Sequence, residues 1–148
     1  MKAFFAILAS ISLALLISSC ATPSSKSSGE PRKDASSRTG YYVPRDLDDA
    51  LTEVDRIMGA KEHDDVMKAT EDGMIEYHFG LGMWMRNNWG LWSGSRLAQY
   101  FNQIGIQHPD DMSGIILDSY WRKLHGKPID LEGQVRYYQD YWKNEKGG

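Results

Sequence analysis

The chain has 148 residues, a formal net charge of −3 and a single cysteine. One cysteine excludes an internal disulfide or a thiolate metal cluster, so a domain of this size must hold together through its core. Between residues 41 and 146, twelve Lys or Arg face eighteen Asp or Glu, a charge of −6 that excludes the basic surface nucleic acid requires.

Met1 to Ser19 reads as a signal peptide. Lys2 supplies the positive end, and Ala3 to Ile17 is an apolar run broken only by Ser10 and Ser12, too short for a comfortable membrane span. The run closes with Ile17-Ser18-Ser19-Cys20, a branched apolar residue, two small residues and a cysteine, which resembles a bacterial lipobox. That resemblance implies cleavage before Cys20, attachment of acyl chains (palmitate) to it, and a membrane partner reached through the lipid. The plainer alternative is an ordinary cysteine in an ordinary signal peptide. Ala21 resembles the pattern sorted to the outer membrane, so the expected location is the cell envelope, lipid-anchored and facing the periplasm. Residues 20–40 are rich in Ser, Thr, Pro and Gly and carry no large apolar side chain. Such a segment cannot bury enough surface to offset its chain entropy and is expected to be a flexible tether.

Residues 41–148 are expected to form one all-α domain, a small bundle of five or six helices. Asp46 is the N-cap of the first, with Asp48 and Asp49 in its first turn and Leu47, Ala50, Leu51, Val54, Ile57 and Met58 as its apolar stripe. Glu62 to Ala69 is a short second helix. Met74 to Asn88 is the third, capped by Thr70 or Asp72 and apolar nearly all round. Tyr77, Leu81 and Trp84 lie on one side, His78, Met85 and Trp89 on a second, Phe79 and Met83 on a third. A helix without a polar face is normally buried, so this aromatic-rich helix is expected at the centre of the bundle. Gly73 and Gly80, seven apart, are expected to admit a neighbouring helix or, alternatively, a ligand or a partner's side chain. Asn87, Asn88 and Gly90 suit the left-handed conformation that ends a helix, which leaves Trp89 and Trp92 in a partly covered connection.

Ser93 or Ser95 begins the next helix, with Leu97, Tyr100, Phe101 and Ile104 inward and Gly105 as its stop. His108-Pro109-Asp110-Asp111 starts another, whose buried stripe is Met112, Ile115, Ile116, Tyr120 and Leu124. Asp130 caps the last, with Leu131, Val135, Tyr138, Tyr141 and Trp142 apolar. No segment alternates with period two for long enough to be a strand.

Two constellations can carry chemistry. His78 and His108, with Asp110, Asp111 or Glu76, supply imidazoles and carboxylates for a divalent metal or for general acid–base hydrolysis. Their spacing matches no metal or nucleophile motif, and Asp110 and Asp111 stand where helix caps belong, so neither a metal nor a cofactor is expected. The second is Arg86, Asn87, Asn88, Trp89, Trp92 and Arg96, which fall within eleven residues. Trp and Arg dominate binding hot spots, and indoles beside polar side chains suit sugar rings, so this corner reads as a surface for an envelope protein or a glycan. The alternative is that the cations pair with the domain's excess acids and the indoles lie over the core.

Gly80 to Trp92 (GLGMWMRNNWGLW), then Leu97 to Phe101, then His108 to Ser113 (HPDDMS), resemble an uncharacterised bacterial family classed only as a domain of unknown function. The Pro44 to Leu51 opening and the Tyr137 to Trp142 ending are similar too, so the resemblance spans nearly all of residues 41–142. It implies one intact domain and carries no established activity, substrate or catalytic residue. The expectation is therefore a non-enzymatic, membrane-anchored lipoprotein that binds a protein or glycan ligand. The alternatives are a small His/Asp-dependent hydrolase, with or without a metal, and a purely structural envelope protein.

Overall fold

Local capping chemistry starts most of the helices. The computed structural model describes residues 29–146. Asp46 Oδ1 accepts the Asp49 N–H at 2.9 Å and opens α1 (Leu47–Ile57). After α2 (Ala60–Lys68) comes a helix in four pieces: a 3₁₀ turn over Asp72–Met74, α3 (Ile75–Tyr77), a π-helical turn over His78–Gly82, and α4 (Met83–Asn88). Ser95 Oγ caps α5 (Arg96–Gln103) by accepting the Ala98 N–H at 3.3 Å. Gly105, at φ 89°, stops it and leaves Ile106 buried. Pro109 occupies the first turn of α6 (Pro109–Leu124), and Asp130 Oδ1 accepts the Gly133 N–H at 3.2 Å to open α7 (Leu131–Lys146). No strand occurs among the described residues, so the architecture is all-α as expected.

The most buried element is α6, and the aromatic helix lies along it rather than at the centre. Ile115, Ile116, Leu117 and Tyr120 of α6 meet Leu51 and Val54 of α1, Met74, Met85 and Trp89 of the aromatic helix, and Leu97 and Phe101 of α5 in one core. Two long-range hydrogen bonds tie α6 to the first part of the domain. The Tyr120 hydroxyl donates to Asp55 Oδ1 at 3.3 Å, and Trp121 Nε1 donates to the Ala69 carbonyl at 2.8 Å.

The aromatic helix is not buried all round. Its Met85 and Trp89 side enters the core, its Leu81 and Trp84 side is partly covered, and Ile75, Phe79 and Met83 are exposed, Phe79 by 73 %. Periodicity records that all its sides are apolar, but only one side has α6 to pack against.

The expected tether also needs correction at its C-terminal end. Residues 29–40 fold back onto the domain: Tyr42 N–H donates to the Arg32 carbonyl at 2.9 Å, and Thr39 Oγ1 donates to the Asn88 carbonyl at 2.7 Å. Arg32 Nη2 lies 2.6 Å from Glu53 Oε1, and Glu53 is only 1 % exposed. The Arg32 guanidinium also covers the Tyr42 ring at 3.4 Å from its centroid. The segment is ordered because a buried carboxylate on α1 needs a cation, which composition alone does not register. The expected signal peptide, Cys20 and the first part of the tether lie outside the described residues. No helix among the described residues is long and apolar enough to cross a membrane.

Among the described residues, removing Arg32 leaves Glu53 with Arg56 as its one cation, at 3.5 Å. Arg32→Ala is expected to lower stability by about 1–3 kcal/mol, the cost of stripping a partner from a buried charged group. Urea denaturation measures it, and an unchanged midpoint would mean that the segment contributes nothing to the fold.

Candidate functional site

The π-helical turn and Arg86 build the polar centre of the molecule. Met83 N–H reaches back to the His78 carbonyl, the wide hydrogen bond of a π turn. His78 and Arg86 both meet the first turn of α6. Arg86, 7 % exposed, places Nε 2.9 Å from Asp110 Oδ1 and donates from Nη1 to Ser113 Oγ at 2.8 Å. Ser113 Oγ in turn donates to the Asp110 carbonyl at 2.9 Å. Gly82 makes the approach possible: a Cβ there would stand 3.1 Å from Arg86 Nη1 and 3.5 Å from Leu117. Gly82 therefore fills the role expected of Gly80, beside which the space is open.

The two histidines do converge with Asp110. His78 Nε2 lies 3.6 Å from Asp110 Oδ1 and 3.3 Å from Arg86 Nη1. His108 is the N-cap of α6, and its Nδ1 accepts the Asp110 N–H at 3.2 Å, with Asp110 Oδ2 3.5 Å away. Among the described residues no three His, Cys, Asp or Glu groups are placed to hold a metal ion. The cation that Asp110 and His78 face is the Arg86 guanidinium. Glu76 is exposed and takes no part.

An aromatic row runs from this centre to the surface. Trp92, 58 % exposed, meets the His108 ring edge-on at 5.8 Å, and His108 meets Trp142 of α7 at 5.5 Å. Tyr141, exposed, lies 5.3 Å from Trp142. Trp142 Nε1 donates to Asp111 Oδ2 at 2.7 Å. Burial pushes the Asp111 carboxyl above its ordinary range, against the opposing effect of that bond. Beside the row is a cleft of about 450 Å³ between α7 and the connection from α5 to α6, edged by Gln107, His108, Asp111, Tyr138, Gln139 and Trp142.

The expected Arg86–Arg96 surface does not hold together. Trp89 is 1 % exposed and belongs to the core, because Trp89 closes α4 and left-handed Gly90 (φ 66°) turns the chain away, leaving the indole inside. Arg86 is buried in the ion pair. Asn88 Nδ2 donates to the Trp84 carbonyl at 2.9 Å. Arg96 Nε donates to the Val43 carbonyl at 2.8 Å, and its guanidinium lies over Tyr42. Asn87 and Trp92 alone of the six remain exposed without a polar bond to the fold among the described residues. Sequence reasoning missed Ser113 as the hydroxyl that satisfies Arg86, and missed Trp142 as the ring that meets His108. No local signal marks either, since both pairings are made by helix packing.

Arg86→Ala is expected to cost about 3 kcal/mol, the lower end of the range for breaking a buried ion pair, because Asp110 keeps some solvent. Chemical denaturation reads this directly, and a loss under 1 kcal/mol would show that the network does not hold α6 in place.

A family model described as a domain of unknown function (DUF6794) matches residues 43–124, more than half of the chain. The match takes in His78, Arg86, Trp92, His108, Asp110 and Ser113 and stops before α7. No curated protein and no solved structure matches the chain.

Proposed function

We propose that this chain, which belongs to the family described as a domain of unknown function (DUF6794), is a non-enzymatic lipoprotein that binds a glycan at its exposed aromatic row. The observation that carries the reading is the run of Trp92, His108, Trp142 and Tyr141, whose two inner members, His108 and Trp142, edge the α7 cleft. Aromatic faces pack against the C–H faces of sugar rings, and rim groups such as Gln107 and Gln139 offer the amide donors and acceptors that hydroxyls need. The lipobox-like Ile17-Ser18-Ser19-Cys20 supports a location in the cell envelope, where a glycan ligand is at hand. The GLGMWMRNNWGLW and HPDDMS segments then serve chiefly to build the Arg86 network that positions His108 beneath the row.

The disposition of the imidazoles supports binding over hydrolysis. His108 Nδ1 is an acceptor for the Asp110 N–H, so neutral His108 carries its proton on Nε2 and presents a donor. A general base must instead present a lone pair to the substrate. His78 Nε2 faces the Arg86 guanidinium, which occupies that lone pair.

Binding is tested with purified peptidoglycan sacculi and with N-acetylglucosamine oligomers followed by tryptophan fluorescence. Trp92→Ala is expected to weaken both about tenfold, roughly 1.4 kcal/mol, with an unchanged melting temperature, since Trp92 lies outside the core. Equal binding by the variant, or none by the wild type, would sink the reading. For the anchor, Cys20→Ser is expected to abolish acylation and move the protein from the membrane to the soluble fraction. Identical fractionation of the two proteins would remove the lipoprotein assignment.

A further inference from the structure

On the other side of Tyr138 from the aromatic cleft is a larger cavity, about 810 Å³, bounded by the start of the aromatic helix, α6 and the first half of α7. Its walls combine apolar groups with carboxylates, and the carboxylates are not equivalent. Glu71 is neutralised by Arg122, whose Nε lies 2.6 Å from it, and by Lys127 at 3.7 Å. Asp130 accepts the Gly133 N–H as the cap of α7. Asp118, half-buried, has no hydrogen-bond or ion-pair partner among the described residues.

Gln134 on the facing helix gives an independent sign of an absent partner. It is only 9 % exposed, and its Nε2 is held by the Ser119 hydroxyl at 3.1 Å and the Ile129 carbonyl at 2.7 Å. Its Oε1 has no partner among the described residues. A buried amide oxygen without a donor is uncommon in native proteins and calls for one. Two residues that line the cavity thus lack partners: Asp118 is a carboxylate without a cation, and Gln134 holds an acceptor without a donor.

We propose that this cavity binds an organic cation, a primary ammonium or guanidinium carried on an apolar stem, with Asp118 as its counter-ion and Gln134 Oε1 as second acceptor. The stem lies against Tyr137, Tyr138 and Ile75, where aromatic faces add an attraction for the cation. A bare divalent metal is a poor fit, since among the described residues no three carboxylates or imidazoles converge to hold one, and such an ion takes six or more oxygen ligands.

The electrostatics agree with this occupant. Burial raises Asp118 from 3.8 to about 6, with Glu71 and Asp72 adding to the rise and Arg122 opposing it. Tyr138, facing it from α7, is itself held well above the ordinary phenol range by burial and stays neutral. His78 and Asp130 border the same cavity. A carboxyl that is harder to ionise in the folded than in the unfolded state removes stability as pH rises from about 4 to about 6. Above that window Asp118 is an unpaired anion, and a bound cation relieves it.

Calorimetry on the full chain with cadaverine as the probe tests the assignment. Cadaverine is expected to bind the wild type at pH 8, at least tenfold more weakly to Asp118→Asn, and at least tenfold more weakly to the wild type at pH 5. The uncharged analogue pentane-1,5-diol is expected not to bind. Asp118→Asn keeps the shape of the side chain and is expected to melt higher than the wild type at pH 8 and level with it at pH 4. If that variant does not fold, Tyr137→Ala, whose ring is exposed, carries the test through an expected threefold or greater loss of cadaverine affinity. Equal cadaverine affinity in wild type and folded variant, equal affinity for the diol, or no cadaverine binding by the wild type overturns the proposal.

Discussion

The Arg86 guanidinium is the group on which the arrangement of this domain depends. It carries five N–H donors in a fixed plane and no acceptor, so once buried it must be met by oxygen or nitrogen lone pairs from several directions. Asp110 meets Nε, and Ser113 with His78 meet Nη1. Those partners stand on the first turn of α6 and on the π turn of the aromatic helix. Satisfying one side chain therefore fixes the depth and rotation at which the two elements dock. The charge also suits its place: Asp110 sits in the first turn of α6, where the helix dipole favours an anion, and Arg86 neutralises it without removing that advantage.

The π turn is the backbone's answer to the same requirement. A regular α-helix from Asp72 to Asn88 would carry a single hydrogen-bond spacing throughout, whereas here the wide turn leaves the His78 carbonyl facing both the Met83 N–H and Arg86 Nη1. Gly82 lets α6 approach across that turn, and a side chain there would press on the guanidinium itself. Glycine inside a helix costs about 0.5–1 kcal/mol relative to alanine, and at residue 82 the close approach offsets it. The same docking carries His108, the cap of α6, to the foot of Trp92, so the aromatic row is a consequence of how the buried cation is satisfied.

What the sequence discloses about this domain is what neighbours along the chain decide. Asp46, Ser95, Pro109, Gly105 and Asp130 mark helix ends through local hydrogen bonds and φ preferences, and the structure places helix ends at each. The inward stripe of α6 follows from spacing alone. Burial across the fold is a different matter. Trp89 and Trp92 stand three residues apart in the same motif, yet one is core and the other surface, because left-handed Gly90 lies between them. Phe79 and Trp89 look alike on a helical wheel with no polar side, and only the position of α6 separates them. His78, His108 and Asp110 could be gathered as chemically related residues, but their meeting at Arg86 depends on the packing of two helices. Arg32 finding Glu53 is the same lesson for a charge pair, with a Ser-rich segment drawn into the fold by one guanidinium.

The last helix shows how an exposed element can still define every cavity around it. Only a few positions of α7 meet the body of the domain, and each meets a site shaped to receive it. The Tyr138 hydroxyl occupies the space that a Cβ on Gly114 would need, Gln139 does the same at Gly105, and Trp142 donates to Asp111. Glycines at 105 and 114 thus act as sockets for side chains 34 and 24 residues further along. Tyr138 forms the wall common to both cavities, with the aromatic cleft on one side of it and Asp118 on the other. Its hydroxyl stands in the space left open at Gly114, so the seating of α7 on α6 sets where this shared wall lies.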